Sequence, residues 1–317
     1  MHIPASQKGI ALVMVLWILT ILMVTVLSFS YMTRTETHAA FFFKQEIEKK
    51  FLAEAGVERG IMEIFFRMQN PSVEVDGSWR SDSTPYKVQT DNGYYTVSIT
   101  DESGKVDINR TSELILKNML SNLGSATEDA DAIVDSIMDW RDADDLYRLH
   151  GAENDYYMSL PKPYKARNAN FETLEELILV KGITPEILYG DDNKKGIIDF
   201  LTVNSKTGKI NIFTATKEIL LSIPGMSSEA ADLIMTLRET RDMQNIQAAL
   251  GQTFSVIAPY IVTTGSSVFS IDAAGYKESG KAGYSVRAIV DIEGNNKYKY
   301  IYYRSPMYVK YDRNNSH

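Results

Sequence analysis

The stretch KGIALVMVLWILTILMVTVLSFSYMTR, Lys8–Arg34, carries no charged side chain between its two ends. Its apolar part, residues 10–32, would form a helix about 35 Å long, which exceeds the roughly 30 Å hydrocarbon core of a bilayer. A cleavable secretory signal has a shorter apolar centre, roughly 7 to 15 residues, and a small-x-small cleavage site, and neither occurs after Ile10. The segment is therefore predicted to span a membrane. The polar residues 1–9 form a leader whose end, Lys8-Gly9, resembles a processing site.

The helical pattern continues beyond this segment through FFFKQEIEKKFLAEAGVERGIMEIFFRM, residues 41–68. Apolar residues recur there at spacings near three and four, the pattern of an amphipathic helix that packs against other elements. No proline interrupts the chain between Ile10 and Pro71. We therefore predict one helix over residues 10–70, with about residues 10–32 in the membrane and the rest packed on a domain.

Strand patterns flank a long helical region. YKVQT and YYTVSIT surround Asp91-Asn92-Gly93, and Asn-Gly tolerates the positive φ angles of a tight hairpin turn. YSVRAIVDI and KYKYIYYRS lie near the C-terminus, and their alternation suits an antiparallel sheet with one buried face. The predicted fold class is α+β: an antiparallel sheet from residues 71–108 and 251–317, and a large inserted all-helical domain from residues 109–250.

A weak internal repeat lies in the predicted insertion. GKVDIN, residues 104–109, recurs as GKINIF, residues 208–213, and a helical segment follows each copy. A duplicated helical substructure would produce this pattern. Chance similarity is the alternative, because helices rich in Ala, Asp, Ile and Leu resemble one another.

The densest polar cluster is MDWRDADDLYRLHGAENDYY, whose acidic members are Asp139, Asp142, Asp144, Asp145, Glu153 and Asp155. Asp142, Asp144 and Glu153 fall at positions 1, 3 and 12 of a calcium loop, and flexible carboxylates suit this hard cation. The EF-hand match is incomplete, because Leu and Tyr stand at positions 5 and 6, where an oxygen ligand and a Gly are needed. Two interpretations are open: a calcium loop of another design, or a solvated acidic loop neutralised by Arg141 and Arg148.

Two glycine turns between helical segments resemble helix-hairpin-helix motifs: LEELILVKGITPEIL with Gly182 and LLSIPGMSSEAADLI with Gly225. Such turns let backbone N–H groups approach a DNA phosphate, but glycine also simply permits a tight turn between packed helices. The net charge of -8 disfavours a general affinity for nucleic acid. The four histidines show no paired spacing and the serines no GxSxG pattern, so no enzymatic activity is expected.

Several of these segments together resemble the type II secretion minor pseudopilins of the K kind, the GspK family. They are the leader with its Lys8-Gly9 junction, DESGKVDIN, the DWRDADD to GAENDYY block, the ITPE turn and GKINIFTA. The resemblance implies cleavage after Gly9 by a prepilin peptidase, and a mature, N-methylated N-terminus at Ile10. Met14 then stands at the fifth mature position, where most pilin-like chains carry Glu. A carboxylate is costly there unless it pairs with a neighbour's amino terminus, so its absence suits a subunit at a filament tip.

The resemblance further implies calcium in the helical domain. The ligand candidates are Asp142, Asp144, Asp145 and Glu153, followed by Asp139 and Asp155. It implies a structural role at the tip of the secretion pseudopilus, an inner-membrane anchor with a cytoplasmic N-terminus, and a periplasmic C-terminal domain. The implied partners are the I and J minor pseudopilins, the major pseudopilin, the prepilin peptidase and the inner-membrane secretion platform, with no nucleic acid. The alternatives are a type IV pilus minor pilin and a membrane-tethered DNA-binding protein.

Overall fold

The computed structural model describes residues 8–70, 79–191, 194–238, 242–277, 283–294 and 297–307. Residues 1–7 of the predicted leader, and residues 71–78 and 308–317 of the predicted sheet domain, lie outside the described residues. The α-helices and strands in chain order are α1 (Lys8–Gln69), β1 (Asp82–Thr90), β2 (Gly93–Asp101), β3 (Val106–Asp107), α2 (Glu113–Asn122), α3 (Thr127–Arg141), α4 (Asn154–Met158), α5 (Pro185–Tyr189), β4 (Leu201–Thr202), β5 (Ile210–Asn211), α6 (Lys217–Ser222), α7 (Ser228–Leu237), α8 (Met243–Leu250), α9 (Gln252–Ile257), β6 (Ile261–Val262), β7 (Val268–Tyr276), β8 (Tyr284–Gly294) and β9 (Lys297–Arg304).

Helix α1 is one continuous element of 62 residues, as the uninterrupted helical pattern predicts. Its large apolar side chains from Ile10 to Phe43 are all exposed in the isolated chain. In the described part of the chain, one helix, Ile10–Gln69, is long and apolar enough to cross a membrane. The exposed apolar surface agrees with a segment that lies in lipid.

The second half of α1 packs on the sheet. Val57 and Ile61 are buried in a core that includes Val97 and Ile271 of the sheet. Gly60 favours close approach, because a Cβ there would lie 3.0 Å from the Ile271 Cγ2. Burying each of these apolar side chains stabilises the fold by roughly 1.5–3 kcal/mol. The amphipathic pattern in the sequence therefore predicts the packing of this part of α1 on the sheet.

The main sheet has five antiparallel strands in the order β1-β2-β7-β8-β9. The predicted hairpin joins β1 and β2, and Gly93 has a φ of 142°. Strand β2 pairs next with β7, and 166 residues lie between the end of β2 and the start of β7. The chain between them is the insertion, so the predicted α+β class is observed.

The position of the sheet along α1 shows from which end of the sheet the insertion emerges. A Cβ at Gly93, the start of β2, would lie 3.2 Å from the Leu52 Cδ1, whereas a Cβ at Gly60 would lie beside Ile271. Positions of the sheet closer to the insertion therefore lie beside later residues of α1. Strand β2 ends at Asp101 and β7 begins at Val268, so the insertion emerges at the end of the sheet that is remote from the apolar part of α1.

The inserted unit has its own apolar core, whose buried side chains run from Val106 to Ile261. It extends past the predicted bounds of residues 109–250 on both sides. The reason is that β3 and β6, which lie just outside those bounds, pair in parallel with β4 and β5 inside the insertion.

The internal repeat corresponds to repeated local structure. Asp107 and Asn211 end equivalent short strands, and their side chains accept the N–H groups of Asn109 (2.9 Å) and Phe213 (3.1 Å). A helix begins soon after each turn, and its N-cap is Ser112 in the first copy and Thr216 in the second. These helices, α2 and α6, pack together, which favours duplication over chance similarity.

A buried carboxylate joins the sheet to the insertion. Glu102 is buried, accepts a hydrogen bond from Lys105 Nζ at 2.8 Å, and also accepts the hydroxyls of Thr202 and Ser270. Thr202 belongs to the helical unit and Ser270 to strand β7. Glu102 thus fixes the helical unit on the sheet.

The neighbouring Asp101 makes a second such link. Its Oδ1 accepts the hydroxyl of Ser266 at 2.8 Å, and its Oδ2 lies 3.5 Å from Asn211 Nδ2. The DESGK segment is therefore a buried polar junction between the two units.

Candidate metal centre

The acidic cluster is built at the end of helix α3. Asp142 is the C-cap of α3 and has an extended backbone with ψ 174°, so the chain leaves the helix axis there. Asp144 accepts the N–H of Leu146 at 2.9 Å. Glu153 is the N-cap of α4, so the loop between α3 and α4 brings acidic residues from both of its ends together.

Three carboxylates converge in this loop. Asp142, Asp144 and Glu153 each offer an oxygen, and these oxygens lie within 4.8 Å of one another. Glu153 is only 1% exposed. Both of its carboxylate oxygens, and Oδ1 of Asp142, are buried without a hydrogen-bond partner within the described ranges. Because a buried carboxylate is costly unless it is paired or coordinates a metal, this donor set fits a hard divalent cation.

The pKa values reflect the same crowding. Burial, followed by the charges of Asp139, Asp142, Asp145 and Asp144, raises the pKa of Glu153 to about 7. Burial and the charge of Asp144 raise the pKa of Asp142. A cation among these oxygens would remove the repulsion between them.

Asp139 is completely buried and has another role. Its two oxygens accept the N–H of Arg148 at 3.4 and 3.3 Å, and Arg148 Nε lies 3.5 Å from Oδ1. A Cβ at Gly151 would lie 1.9 Å from Asp139 Oδ2, so the loop backbone passes directly over this carboxylate. Burial raises the pKa of Asp139 to about 6, with a further contribution from Asp142. The geometry therefore places Asp139 beneath the loop and outside the converging triad.

The remaining predicted ligands lie at the periphery. Asp145 Oδ1 accepts hydrogen bonds from the side-chain amides of Asn154 at 2.7 Å and Asn168 at 3.1 Å. Asp155 is exposed in the first turn of α4. Of the six predicted carboxylates, the structure brings three together.

Asn168 was not predicted. Its amide nitrogen donates to the backbone oxygen of Asp144 at 3.1 Å as well as to Asp145, and its Oδ1 is buried without a partner among the described residues. A neutral amide oxygen is a common calcium ligand. Asn168 comes 15 residues after Glu153 and carries no metal-site spacing, so only the fold reveals its position.

The direct contacts of the two arginines lie outside the triad, although both charges act on Asp142. Arg141 donates to the backbone oxygens of Ile108 and, at 3.1 Å, Thr111. Arg148 pairs with Glu113 and lies against Asp139. Because neither arginine contacts Glu153 among the described residues and the Glu153 carboxylate oxygens have no hydrogen-bond partner there, the geometry favours the cation interpretation over the solvated loop.

The two glycine turns are exposed, but the side of each glycine where a Cβ would lie packs against a neighbouring side chain. Gly182 and Gly225 have φ angles of 86° and 82°. A Cβ at these positions would lie 2.9 Å from Ile133 and 2.5 Å from Val256. Lys181, the cation beside the first turn, donates to the backbone oxygens of His150 (3.1 Å) and Gly151 (2.9 Å). These contacts favour packing turns over phosphate sites.

Comparison with known proteins identifies the relationship. Residues 97–189, which include the acidic loop, match the family model described as Type II secretion system (T2SS), protein K. Over these residues the chain is similar to type II secretion system protein K. It is 24% identical over 250 residues to Type II secretion system protein K of Pseudomonas aeruginosa, covering 72% of each chain. It is 27% identical over 204 residues to the protein of the same name from Pectobacterium carotovorum subsp. carotovorum, covering 58% of this chain and 60% of that one.

A solved structure shares the fold. It is the crystal structure of the GspK-GspI-GspJ complex from the enterotoxigenic Escherichia coli Type 2 Secretion System, with a TM-score of 0.61 and 13% sequence identity. The alignment covers 86% of this chain and 100% of that chain. The predicted α+β fold is thereby confirmed, and the family model and the curated relatives support the predicted resemblance to the GspK family. Over residues 97–189 the chain is similar to type II secretion system protein K, and the match to a type II model disfavours the type IV alternative. Among the described residues its apolar N-terminal helix is consistent with a single-pass anchor.

Proposed function

We propose that this chain occupies the tip of the type II secretion pseudopilus, where it initiates or caps assembly and supports protein export. This proposal rests mainly on one observation: the helical unit leaves the sheet at the end remote from the apolar part of α1. With α1 in the membrane or filament, this unit lies ahead of the shaft. A unit of more than 100 residues is hard to fit along a tightly packed filament and easily accommodated at its end.

The apolar helix supports the same placement. Met14 is exposed on α1 and uncharged, so no carboxylate in this segment needs the amino terminus of a subunit above. Packing of the exposed apolar face on neighbouring helices would replace contact with lipid. The proposed role is structural and non-enzymatic.

Processing is the first testable part of the proposal. A prepilin peptidase would cut between Gly9 and Ile10, and the mature amino group would be methylated. The anchor would lie in the inner membrane with its N-terminus in the cytoplasm and the folded units in the periplasm. Mass spectrometry of the protein from its host should give an N-terminus at Ile10, and a chain that still begins at Met1 would refute pilin-type processing.

Partners are the second part. The solved relative is a complex with GspI and GspJ, so we propose that this chain binds the I and J minor pseudopilins of its own host. We also propose contacts with the major pseudopilin and the inner-membrane secretion platform. Full-length chain purified in detergent should retain both minor pseudopilins at constant ratio. Recovery of the chain alone, with both partners expressed, would count against the assembly.

Calcium is the third part. We propose that Asp142, Asp144 and Glu153 hold one Ca²⁺, with Asn168 Oδ1 as a neutral ligand and Asp145 close by. The unpaired oxygens of Glu153 support this, since the fold buries them without compensating contacts in the described residues. Bound cation would fasten the two ends of the loop between α3 and α4. Its role would be to hold that loop in one conformation.

The calcium test compares two carboxylates of the same block. Glu153→Gln removes charge from the buried triad, whereas Asp155→Asn removes charge from an exposed position in α4. Calorimetric titration of full-length protein in detergent should show binding in the wild type and in Asp155→Asn, and at least tenfold weaker binding in Glu153→Gln. A ligand at 100 times its Kd stabilises the folded state by about 2.7 kcal/mol, so chelator should lower the melting temperature. Equal affinities in all three proteins would refute the site.

A further inference from the structure

The loop between α3 and α4 displays large apolar side chains to solvent. Leu146, Tyr147 and Leu149 are 75, 51 and 88% exposed. Single exposed apolar residues are ordinary on protein surfaces, but these three lie within four positions of one short loop. Contiguous exposed apolar groups with a polar rim mark interaction sites.

The backbone that carries these side chains is held in place. In this loop, the backbone N–H of every second residue from Leu146 to His150 donates a hydrogen bond to a carboxylate in or near helix α3. The pairs are Leu146 with Asp144 Oδ1 (2.9 Å), Arg148 with Asp139 Oδ2 (3.3 Å) and His150 with Asp135 Oδ2 (3.0 Å). Because these hydrogen bonds are made in the isolated chain, binding would lose less conformational entropy in the loop.

The side chains are arranged opposite to those of a solvated loop. Arg148 is half-buried and contacts Glu113 and Asp139. The leucines on either side of it turn outward. A loop with no partner gains by exposing its cation and covering its apolar groups, so this arrangement favours a surface that is covered in the working assembly.

The surroundings define the charge of the partner. Residues 142–155 hold one arginine and five carboxylates, namely Asp142, Asp144, Asp145, Glu153 and Asp155. One divalent cation does not neutralise them. An anionic lipid surface would be repelled, and a second copy would bring like charges together. A protein with an apolar pocket is complementary to the exposed apolar side chains, and cationic groups around that pocket are complementary to the carboxylates.

We propose that Leu146, Tyr147 and Leu149 form a docking surface, the apolar loop patch, for a partner protein with an apolar pocket rimmed by Lys or Arg. The proposal deepens the proposed tip function, because a patch on the helical unit lies ahead of the filament. Calcium at the two ends of the loop would brace the patch.

The test uses the full chain in a secreting host whose own copy is deleted. Leu149→p-benzoylphenylalanine places a photoreactive group in the patch, and Val256→p-benzoylphenylalanine is the matched control, since Val256 is an exposed apolar residue on α9. We expect position 149 to give an adduct with one protein through a peptide that contains Lys or Arg, and position 256 not to give it. An adduct with lipid or with a second copy, or no protein adduct, overturns the proposal.

The protein identified in that adduct is then purified and titrated with the full chain. We expect L146S/L149S to bind at least tenfold more weakly than wild type, V256S to bind like wild type, and the wild-type affinity to fall as NaCl is raised. Equal affinities for wild type and L146S/L149S overturn the proposal. Wild-type calcium binding is measured separately, so failure of the metal site is distinguished from failure of the docking surface.

Discussion

Replacing Glu102 by alanine tests whether the buried polar junction holds the helical unit on the sheet. The carboxylate accepts hydrogen bonds from Lys105, Thr202 and Ser270. Burial alone would raise its pKa, but Lys105 and the hydroxyls outweigh burial, so the pKa of Glu102 lies below its usual value. The associated stabilisation is present above about pH 4.5 and is lost as the pH falls through the lower pKa of the folded state.

The expected magnitude follows from the groups left behind. Glu102→Ala leaves a largely buried ammonium and two buried hydroxyls without their acceptor, and breaking a buried ion pair costs about 3–5 kcal/mol. At about 2–4 °C per kcal/mol for a domain of this size, the melting temperature should fall by about 6–20 °C. Glu102→Gln keeps the volume and one acceptor oxygen, so its loss should be smaller, about 1.5–3 kcal/mol.

The assay is thermal unfolding of full-length protein in detergent at pH 7.5, with Glu48→Ala as the control. Glu48 pairs with Lys277 at 2.7 Å in a partly exposed surface pair, where solvent screens the charges more than it does at Glu102. A Glu102→Ala variant that melts within 2 °C of the Glu48→Ala control would refute the reasoning, because the junction would then contribute no more than a surface pair.

Three further predictions concern the metal loop and helix α1. In chelator, Glu153 has a folded-state pKa of about 7 against an ordinary 4.5, so the folded state binds the proton more tightly. Stability should therefore fall by up to about 3 kcal/mol as the pH rises from about 4.5 to 7, and urea unfolding of Glu153→Gln should lack this part of the pH dependence. Asn168→Ala should weaken calcium binding about tenfold, as measured by calorimetry, because one neutral ligand is lost. An unchanged affinity would exclude Asn168 Oδ1 as a calcium ligand. Gly60→Val should destabilise by about 1–3 kcal/mol through crowding against the sheet, whereas Ala55→Val, exposed on the same helix, should cost less than 1 kcal/mol in the same melting assay.

Local patterns in the sequence predict the elements well. The period of apolar residues after Phe43 indicates the face of α1 that packs on the sheet, and Asn92-Gly93 indicates the hairpin. Both features depend on neighbours in the chain, so a single sequence contains them. The bounds of the helical unit were less accessible, because the pairing of β3 and β6 depends on strands far away in sequence.

The candidate site divides in the same way. The spacing of Asp142, Asp144 and Glu153 indicates three carboxylates that the fold does bring together. Asp139 belongs to the same acidic block, yet it is buried under the loop, and spacing alone cannot separate the two roles. Asn168 arrives from a later segment, so only tertiary structure places it there.

Buried charge is the feature that sequence patterns hide most effectively. Glu102 stands in DESGK, a polar stretch that would ordinarily be taken for an exposed turn, and its partners Thr202 and Ser270 follow 100 and 168 residues later. Such a group becomes visible only when the fold shows what pairs with it.

The position of the helical unit on the filament is the most direct test of the proposed tip function. The chain has no cysteine, so Lys162→Cys on an exposed loop of the helical unit provides one site in this chain for a gold label. Electron microscopy of labelled filaments sheared from the host should show a single gold particle at one end of each filament. Gold particles spaced along the shaft would contradict the account.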